Sequence, residues 1–207
     1  MEMIIQYFSG PMGQLELLAT ALLIVNVYLL AKQKLINYWF GLAGVLIFGY
    51  IFREFQLYSD MLLQWVFYAP LQIVGYFMWK YGRTLGTESF EAPDSMKVVS
   101  LGWSGRSLWA AVILIAAAIL GYFMATNTDA SFPYADALTT TMSIVASILM
   151  LKKIFENWII WIAMDLIAIP IYYQKELYVT SGLYVIFLCL ASYGAYTWYK
   201  DMENQNA

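Results

Sequence analysis

The chain has 207 residues, of which 62% are hydrophobic and 12% are charged, and its formal net charge is −3. Soluble domains carry about 25% charged residues and about 45–50% apolar ones, so this composition indicates an integral membrane protein. The acidic balance argues against nucleic-acid binding. The chain contains no histidine, which excludes histidine-based catalysis and most transition-metal sites. We therefore expect no enzyme, no metal centre and no cofactor.

Seven stretches are apolar enough to cross a membrane. A bilayer core about 30 Å thick needs about 20 such residues per helix. In chain order the predicted spans are 14–31, 36–52, 58–79, 107–124, 134–151, 157–173 and 177–199. The second is short and the sixth contains Pro170, so both are expected to depend on neighbouring helices for backbone hydrogen bonds.

Basic residues are concentrated on one side of these spans. The connections after spans one, three, five and seven contain Lys32, Lys34, Lys80, Arg83, Lys97, Arg106, Lys152, Lys153 and Lys200. The other side has only Arg53 and Lys175. Because an excess of Lys and Arg marks the cytoplasmic side, we expect an external N-terminus and a cytoplasmic C-terminus in a bacterial inner membrane.

The sequence contains an internal repeat. Spans two and three share three features with spans six and seven, namely Lys34-x2-Asn37 with Lys153-x3-Asn157, Leu57-Tyr58 with Leu177-Tyr178, and Gly75-x3-Trp79 with Gly194-x3-Trp198. The pattern predicts an all-α membrane fold in which two parallel three-helix repeats are joined by a linking helix. The expected divisions are 1–80 for the first repeat, 81–132 for the cytoplasmic linker and linking helix, and 133–207 for the second repeat. In transporters with such repeats the substrate lies near the midplane between them.

The sixth span carries the most informative polar residues. On a helix, Asn157, Trp161 and Asp165 follow one another at i, i+4 and i+8, with Trp158 beside them. A carboxylate about two turns inside a membrane helix is costly unless it meets a partner or water. Aromatic faces beside a carboxylate suit a flat organic cation. This segment predicts a binding site for such a solute.

Each of these residues also has a structural interpretation. Asp165 could pair with Lys175 or bond to a neighbouring helix. Trp158 and Trp161 could be interfacial anchors, and Asn157 could be the N-cap of its helix. Tryptophans near other predicted helix ends are interpreted as an interfacial belt; they are Trp39, Trp79, Trp103, Trp109 and Trp198.

A second group of candidates lies on spans three and seven. Gln64, Tyr68 and Gln72 share one face of span three, and Pro70 between them would free a backbone carbonyl. Each buried amide is either interhelical glue or a ligand contact. Tyr178 and Tyr184 begin span seven. Glu16, Asn26 and Asn37 are interpreted as structural or interfacial.

Several stretches resemble the Pnu-type vitamin transporters, a family with nicotinamide riboside and thiamine members. They are Gln56-Leu57-Tyr58, Leu62-Leu63-Gln64, Met142-Ser143-Ile144-Val145-Ala146 and Glu156-Asn157-Trp158-x2-Trp161. The resemblance implies a three-plus-one-plus-three fold similar to that of the SWEET sugar transporters. It also implies facilitated diffusion of an unphosphorylated vitamin, a cytoplasmic kinase that traps it, and a homo-oligomer, plausibly a trimer. Trp158, Trp161 and Gln64 would be binding or gating residues.

Two features favour thiamine within this family. The residue that matches Asp165 in nicotinamide riboside members is commonly an asparagine, and the chain lacks the longer central insertion of some of them. Thiamine carries a thiazolium and nicotinamide riboside a pyridinium, so both are flat cations. We therefore predict a transporter of a cationic B-vitamin, with thiamine as the first candidate and nicotinamide riboside as the alternative. A third candidate is a substrate-binding subunit that needs an energy-coupling ATPase.

Overall fold

The computed structural model describes residues 10–55, 61–82, 96–128, 132–174 and 178–206, without the side chains of 178, 179 and 206. These residues form seven α-helices: α1 Pro11–Ala31, α2 Asn37–Glu54, α3 Ala69–Tyr81, α4 Trp103–Asn127, α5 Pro133–Leu151, α6 Glu156–Gln174 and α7 Tyr178–Asn206. A π-helical segment, Leu63–Tyr68, precedes α3. The predicted all-α membrane fold, with three helices, a linking helix and three more along the chain, is confirmed.

The helices exceed some of the predicted spans at their polar ends. Helix α7 continues to Asn206, and α4 includes Thr126 and Asn127, which lie beyond the predicted span 107–124. The Oγ1 of Thr126 and the Nδ2 of Asn127 both donate to carbonyls one turn earlier, each at 2.9 Å, and so satisfy the end of the helix themselves. By length and composition alone, α1, α4 and α5 could each cross a membrane.

The first compact unit, Met1–Ser95, is packed around the glycines of α2. Helix α1 lies against α2, and α2 lies against the π-helical segment and α3. Gly44 faces the Leu23 side chain of α1, and Gly49 faces the indole of Trp65. That indole donates its Nε1–H to the Leu46 carbonyl at 3.2 Å. Small residues thus let large side chains of neighbouring helices approach the α2 backbone closely.

The second compact unit, Met96–Ala207, contains the linking helix. Helix α4 packs on α5, α5 on α6, and α6 on α7. An apolar cluster joins the first three of these helices through Ile113, Met142, Val145, Leu149, Ile154, Met164 and Ala168. The predicted divisions at 1–80, 81–132 and 133–207 remain a prediction about repeat boundaries.

Hydrogen bonds connect the segment before α4 to the turn before α6 and to Glu156 at its start. The N–H of Val99 donates to the Lys153 carbonyl at 3.1 Å, and the N–H of Phe155 donates to the Val99 carbonyl at 2.8 Å. The Glu156 carboxylate accepts the Leu101 N–H at 3.0 Å. It also accepts Oγ–H of Ser100 and Nε–H of Arg106, at 2.8 and 2.9 Å. These bonds hold the linking helix to the second unit.

The two units contain the same turn between their first two repeat helices. Gln33 has a φ of 52° and Lys153 a φ of 50°, a left-handed conformation that is uncommon outside glycine. Asn37 and Asn157 follow four residues later in the two turns. Each donates its Nδ2–H to the carbonyl three residues earlier, at 2.7 and 2.6 Å. The repeat predicted from sequence is therefore present in the backbone.

Each unit contains a buried aromatic pair at equivalent positions. Tyr38 meets Trp79 edge to face at 5.3 Å between ring centroids, and Trp158 meets Trp198 edge to face at 5.5 Å. All four residues are buried. The interfacial interpretation of Trp79 and Trp198 was therefore wrong, because each ring has a partner on another helix of its own unit. Trp103, by contrast, is 81% exposed, as an interfacial residue would be.

The π-helical segment explains a small irregularity in the repeat. The interval from Asn37 to Gly75 is one residue longer than the interval from Asn157 to Gly194. A π-helix accommodates an extra residue because its hydrogen bonds run from i to i+5. Leu63–Tyr68 lies within the longer interval, where Pro70 also removes a backbone donor.

The packing of Trp158 against α7 gives the first prediction. A Cβ on Gly194 would lie 2.5 Å from the Trp158 indole, whereas a Cβ on Gly182 would have no neighbour within 4 Å. We expect Gly194→Ala to cost about 1–3 kcal/mol through overpacking. The unfolding temperature in detergent should fall by several degrees for Gly194→Ala and should not fall for Gly182→Ala. Equal unfolding temperatures would contradict the packing described.

The attachment of the pre-α4 segment gives the second prediction. Removing the Glu156 acceptor should make the Leu101 amide exchange about 10- to 150-fold faster, since one hydrogen bond to a charged group contributes about 1.5–3 kcal/mol. Hydrogen–deuterium exchange of Glu156→Ala measures this. Glu203→Ala, at an exposed residue of α7, is the control. Unchanged exchange at residues 99–101 would show that Glu156 does not hold the segment.

Candidate substrate-binding site

Asp165 is a buried acid in the middle of α6. Its exposed fraction is 2%, and its Oδ1 has no hydrogen-bond partner among the residues that the structure describes. No basic side chain in the described part of the chain forms an ion pair with it. Lys175, the partner considered from sequence, lies outside the described residues. A carboxylate without compensation is costly at this depth, and a cationic ligand would supply the missing charge.

Aromatic rings lie on the same helix as this carboxylate. Trp161 is partly buried and packs against the apolar cluster of α4, α5 and α6. Tyr172 of α6 and Tyr184 of α7 stack with ring centroids 5.0 Å apart and planes 13° apart. Tyr184 was among the sequence candidates, but Tyr172 was not. Its position two turns after Asp165, on one helical face, was the signal that could have identified it.

Trp158 and Asn157 are buried inside their own unit. Trp158 packs on Trp198 and over Gly194, and both Trp158 and Asn157 are fully buried. The Nδ2 of Asn157 donates backwards to the Ile154 carbonyl, and the helix already begins at Glu156, so Asn157 is not its N-cap. The Oδ1 of Asn157 and the Nε1 of Trp158 have no partner in the described part of the chain. Their contact with a ligand stays a prediction.

The first unit contains the other candidates. The Oε1 atoms of Gln64 and Gln72 are buried and have no hydrogen-bond partner among the described residues. Gln64 lies in the π-helical segment, and Tyr68 ends that segment with its ring 5.0 Å from the ring of Phe67. Tyr178 begins α7, but its side chain lies outside the described part.

Asn26 joins this polar group although the sequence indicated only a structural role. Its Nδ2 donates to the backbone carbonyl of Asn37 at 2.8 Å and to the Oδ1 of Asn37 at 3.3 Å. The Asn26 amide and the Gln72 amide both lie beside Gly41 of α2. This meeting of α1, α2 and α3 depends on their mutual register, which the sequence does not give.

A cleft of about 380 Å³ in the second unit contains none of these candidates. Apolar residues of α4, α5, α6 and the adjoining segments form most of its lining, together with the Arg106–Glu156 ion pair. It therefore belongs to the attachment of the linking helix and is separate from Asp165. In the described part of the chain, no three acidic or cysteine side chains are grouped closely enough to hold a metal ion.

Comparison with known proteins identifies the family. A family model described as nicotinamide mononucleotide transporter matches residues 13–200. A nicotinamide riboside transporter PnuC from Neisseria mucosa is 28% identical over 212 residues, covering 97% of this chain and 77% of that protein. The PnuC of Escherichia coli is also 28% identical, over 211 residues, covering 93% of this chain and 88% of the relative.

A solved structure agrees with these matches. The crystal structure of the vitamin B3 transporter PnuC superimposes with a TM-score of 0.71 at 27% identity, covering 97% of this chain and 86% of that one. The resemblance to Pnu-type transporters that the motifs indicated is thereby confirmed. Because the family match extends over nearly the whole chain, the protein belongs to the nicotinamide mononucleotide transporter family of membrane proteins.

Proposed function

We propose that the protein carries nicotinamide riboside, an unphosphorylated cationic B-vitamin, across the bacterial inner membrane by facilitated diffusion. One observation carries the proposal: Asp165 is a buried carboxylate without an ion-pair partner in the described residues, on the same helix face as Trp161. The pyridinium of the ligand would neutralise the carboxylate, and the indole would provide a π-face for the ring.

The charge balance also favours the riboside over its phosphate ester. A phosphate brings up to two negative charges, and like charges repel strongly where water is scarce. None of the described basic residues pairs with Asp165 to offset a phosphate. An unphosphorylated cation therefore suits the site better than nicotinamide mononucleotide, and a cytoplasmic kinase could then trap it.

The relatives support nicotinamide riboside rather than thiamine, which we had favoured from sequence. Four curated relatives bear the name nicotinamide riboside transporter. The compact centre of the chain is a weak argument for thiamine, because relatives of different length share this name: the chain covers 77% of one and 88% of another. The acid at position 165 suits either cation.

Transport would require the site to open to each side in turn. We assign this to rocking of the two three-helix repeats, with Pro70 and Pro170 as flexible points. Pro170 lies inside α6, and the Ile169 carbonyl beside it accepts the Oγ–H of Ser181 at 3.0 Å. Helix α7 thus supports α6 where proline interrupts its backbone bonding. We further expect a homo-oligomer, as the family resemblance implied.

Ligand choice is the third prediction. We expect the detergent-purified protein to bind nicotinamide riboside and to bind thiamine at least about tenfold more weakly, a difference of about 1.4 kcal/mol. Riboflavin, a flat but uncharged vitamin, should not bind. Isothermal calorimetry with all three ligands measures this. Tight binding of thiamine alone would restore the first candidate from sequence, and binding of none would contradict the proposal.

The role of the carboxylate is the fourth prediction. We expect Asp165→Ala to weaken binding of nicotinamide riboside about 10- to 100-fold, or about 1.4–2.8 kcal/mol, because a buried charge pair is lost. The uncharged dihydro form of the ligand keeps the ribose and the carboxamide. It should bind the variant and the wild type with equal affinity. Glu203→Gln, at an exposed site on α7, is the control. Equal losses for both ligand forms would assign Asp165 a structural role.

A further inference from the structure

The cleft of about 380 Å³ in the second unit lies between α4, α5 and α6. Two of its lining residues, Ala110 of α4 and Ile159 of α6, are exposed, so the cleft is open to the surroundings of the helices. Its volume lies within the range of about 300–1,000 Å³ that is usual for small-molecule sites. The cleft is therefore large enough to take part of an organic molecule.

The polarity of the cleft changes along the helices. Its charged lining residues, Arg106 and Glu156, lie in the first turns of α4 and α6. The apolar lining residues Trp109, Ile113 and Ile160 follow one or two turns further along the same helices. Because α4 is long and apolar enough to cross a membrane, this direction leads from the membrane surface into the hydrocarbon. The cleft thus has the polarity of a phospholipid, with a charged end at the surface and an apolar end inside.

Arg106 keeps hydrogen-bond donors for a ligand. Its Nε donates to the Glu156 carboxylate and its Nη2 to the Ser100 Oγ, each at 2.9 Å. A guanidinium has five N–H groups, and the side chain of Arg106 is 43% exposed. The guanidinium carbon lies 5.5 Å from the centroid of the exposed Trp103 ring, as expected near a membrane surface. A phosphate can therefore accept from Arg106 while the pair with Glu156 remains.

Positive charge predominates at this end of the unit. In the described part of the chain, the segment before α4, the first turn of α4 and residues 152–156 contain four basic residues and one acid: Lys97, Arg106, Lys152 and Lys153 against Glu156. The backbone bonds of Val99 hold the first segment beside the turn before α6. Basic pockets between membrane helices attract the headgroups of anionic lipids. An anionic lipid therefore fits this end better than a zwitterionic one.

We propose that this cleft binds one anionic phospholipid. The phosphate accepts hydrogen bonds from the Arg106 guanidinium, and an acyl chain lies along Trp109 and Ile113 of α4 and Ile160 of α6. A guanidinium suits this role because its fork of N–H groups matches the geometry of a phosphate. The bound lipid joins α4 to α6 inside the second unit, so the inference is independent of which vitamin the protein carries.

Two neighbouring alanines of α4 provide a matched test of the cleft. Both are exposed, but Ala110 lines the cleft and Ala111 does not. An indole at position 110 would fill the cleft, whereas an indole at position 111 would leave it open. Native mass spectrometry in detergent with added dioleoylphosphatidylglycerol measures the lipid bound per chain and its affinity. We expect Ala110→Trp to lose the bound lipid and Ala111→Trp to retain it.

The ion pair provides a second test, which concerns the headgroup. Arg106→Gln and Glu156→Gln break the same pair, but only the first removes the cation. The two lipids compared are phosphatidylglycerol and phosphatidylcholine with the same acyl chains, and the wild type should prefer phosphatidylglycerol. We expect Arg106→Gln to bind phosphatidylglycerol about fivefold more weakly, as for one basic residue near a membrane surface. Glu156→Gln should bind it at least as tightly as the wild type, because a negative charge is removed.

Each of four results would overturn the inference. Equal lipid binding by Ala110→Trp and Ala111→Trp would place the lipid outside the cleft. Equal affinity of the wild type for the two lipids would remove the role of the headgroup charge, and equal losses in Arg106→Gln and Glu156→Gln would leave the ion pair a structural role alone. If the wild type binds no lipid and Ala110→Trp changes the oligomeric mass, the cleft is a contact between copies of this chain.

Discussion

A buried carboxylate is costly, and the proposed binding site depends on that cost. Asp165 lies inside a membrane protein with an oxygen atom that no described residue satisfies. Fold stability alone gives no reason for such a group, since an apolar side chain would cost less. In the proposed function, a transported cation would supply the reason, because its charge would compensate the acid while it is bound. The aromatic residues of α6 and α7 would then offer π-faces to the same cation.

The two repeats share a scaffold but differ in several buried side chains. Each has a left-handed residue and a bonded asparagine in the equivalent turn, and an edge-to-face aromatic pair between equivalent helix positions. These features fix the backbone of each unit. At equivalent sequence positions, Asn26, Gly41 and Gln72 of the first unit correspond to Ala146, Trp161 and Ala191 of the second.

Much of the fold could be predicted because long apolar runs and charge bias are local properties of the sequence. The seven helices and the repeat follow from them. Burial of Trp79 and Trp198 could not be predicted, because it depends on partners in other helices. The extra length of α4 and α7 was not predicted because the residues at their ends are polar, whereas the spans were predicted from apolar stretches. Asp165 was identified from one helix alone, whereas the approach of Asn26 and Gln72 to Gly41 requires the register of three.

The most direct test is uptake by liposomes that contain only this protein. With labelled nicotinamide riboside outside and no nucleotide present, we predict saturable entry that stops at equal concentrations and is slowed by unlabelled ligand. The Asp165→Ala variant should transport the cation poorly. Absence of uptake until an ATPase is added, or uptake of thiamine in place of nicotinamide riboside, would contradict a uniporter that recognises this vitamin through its buried acid.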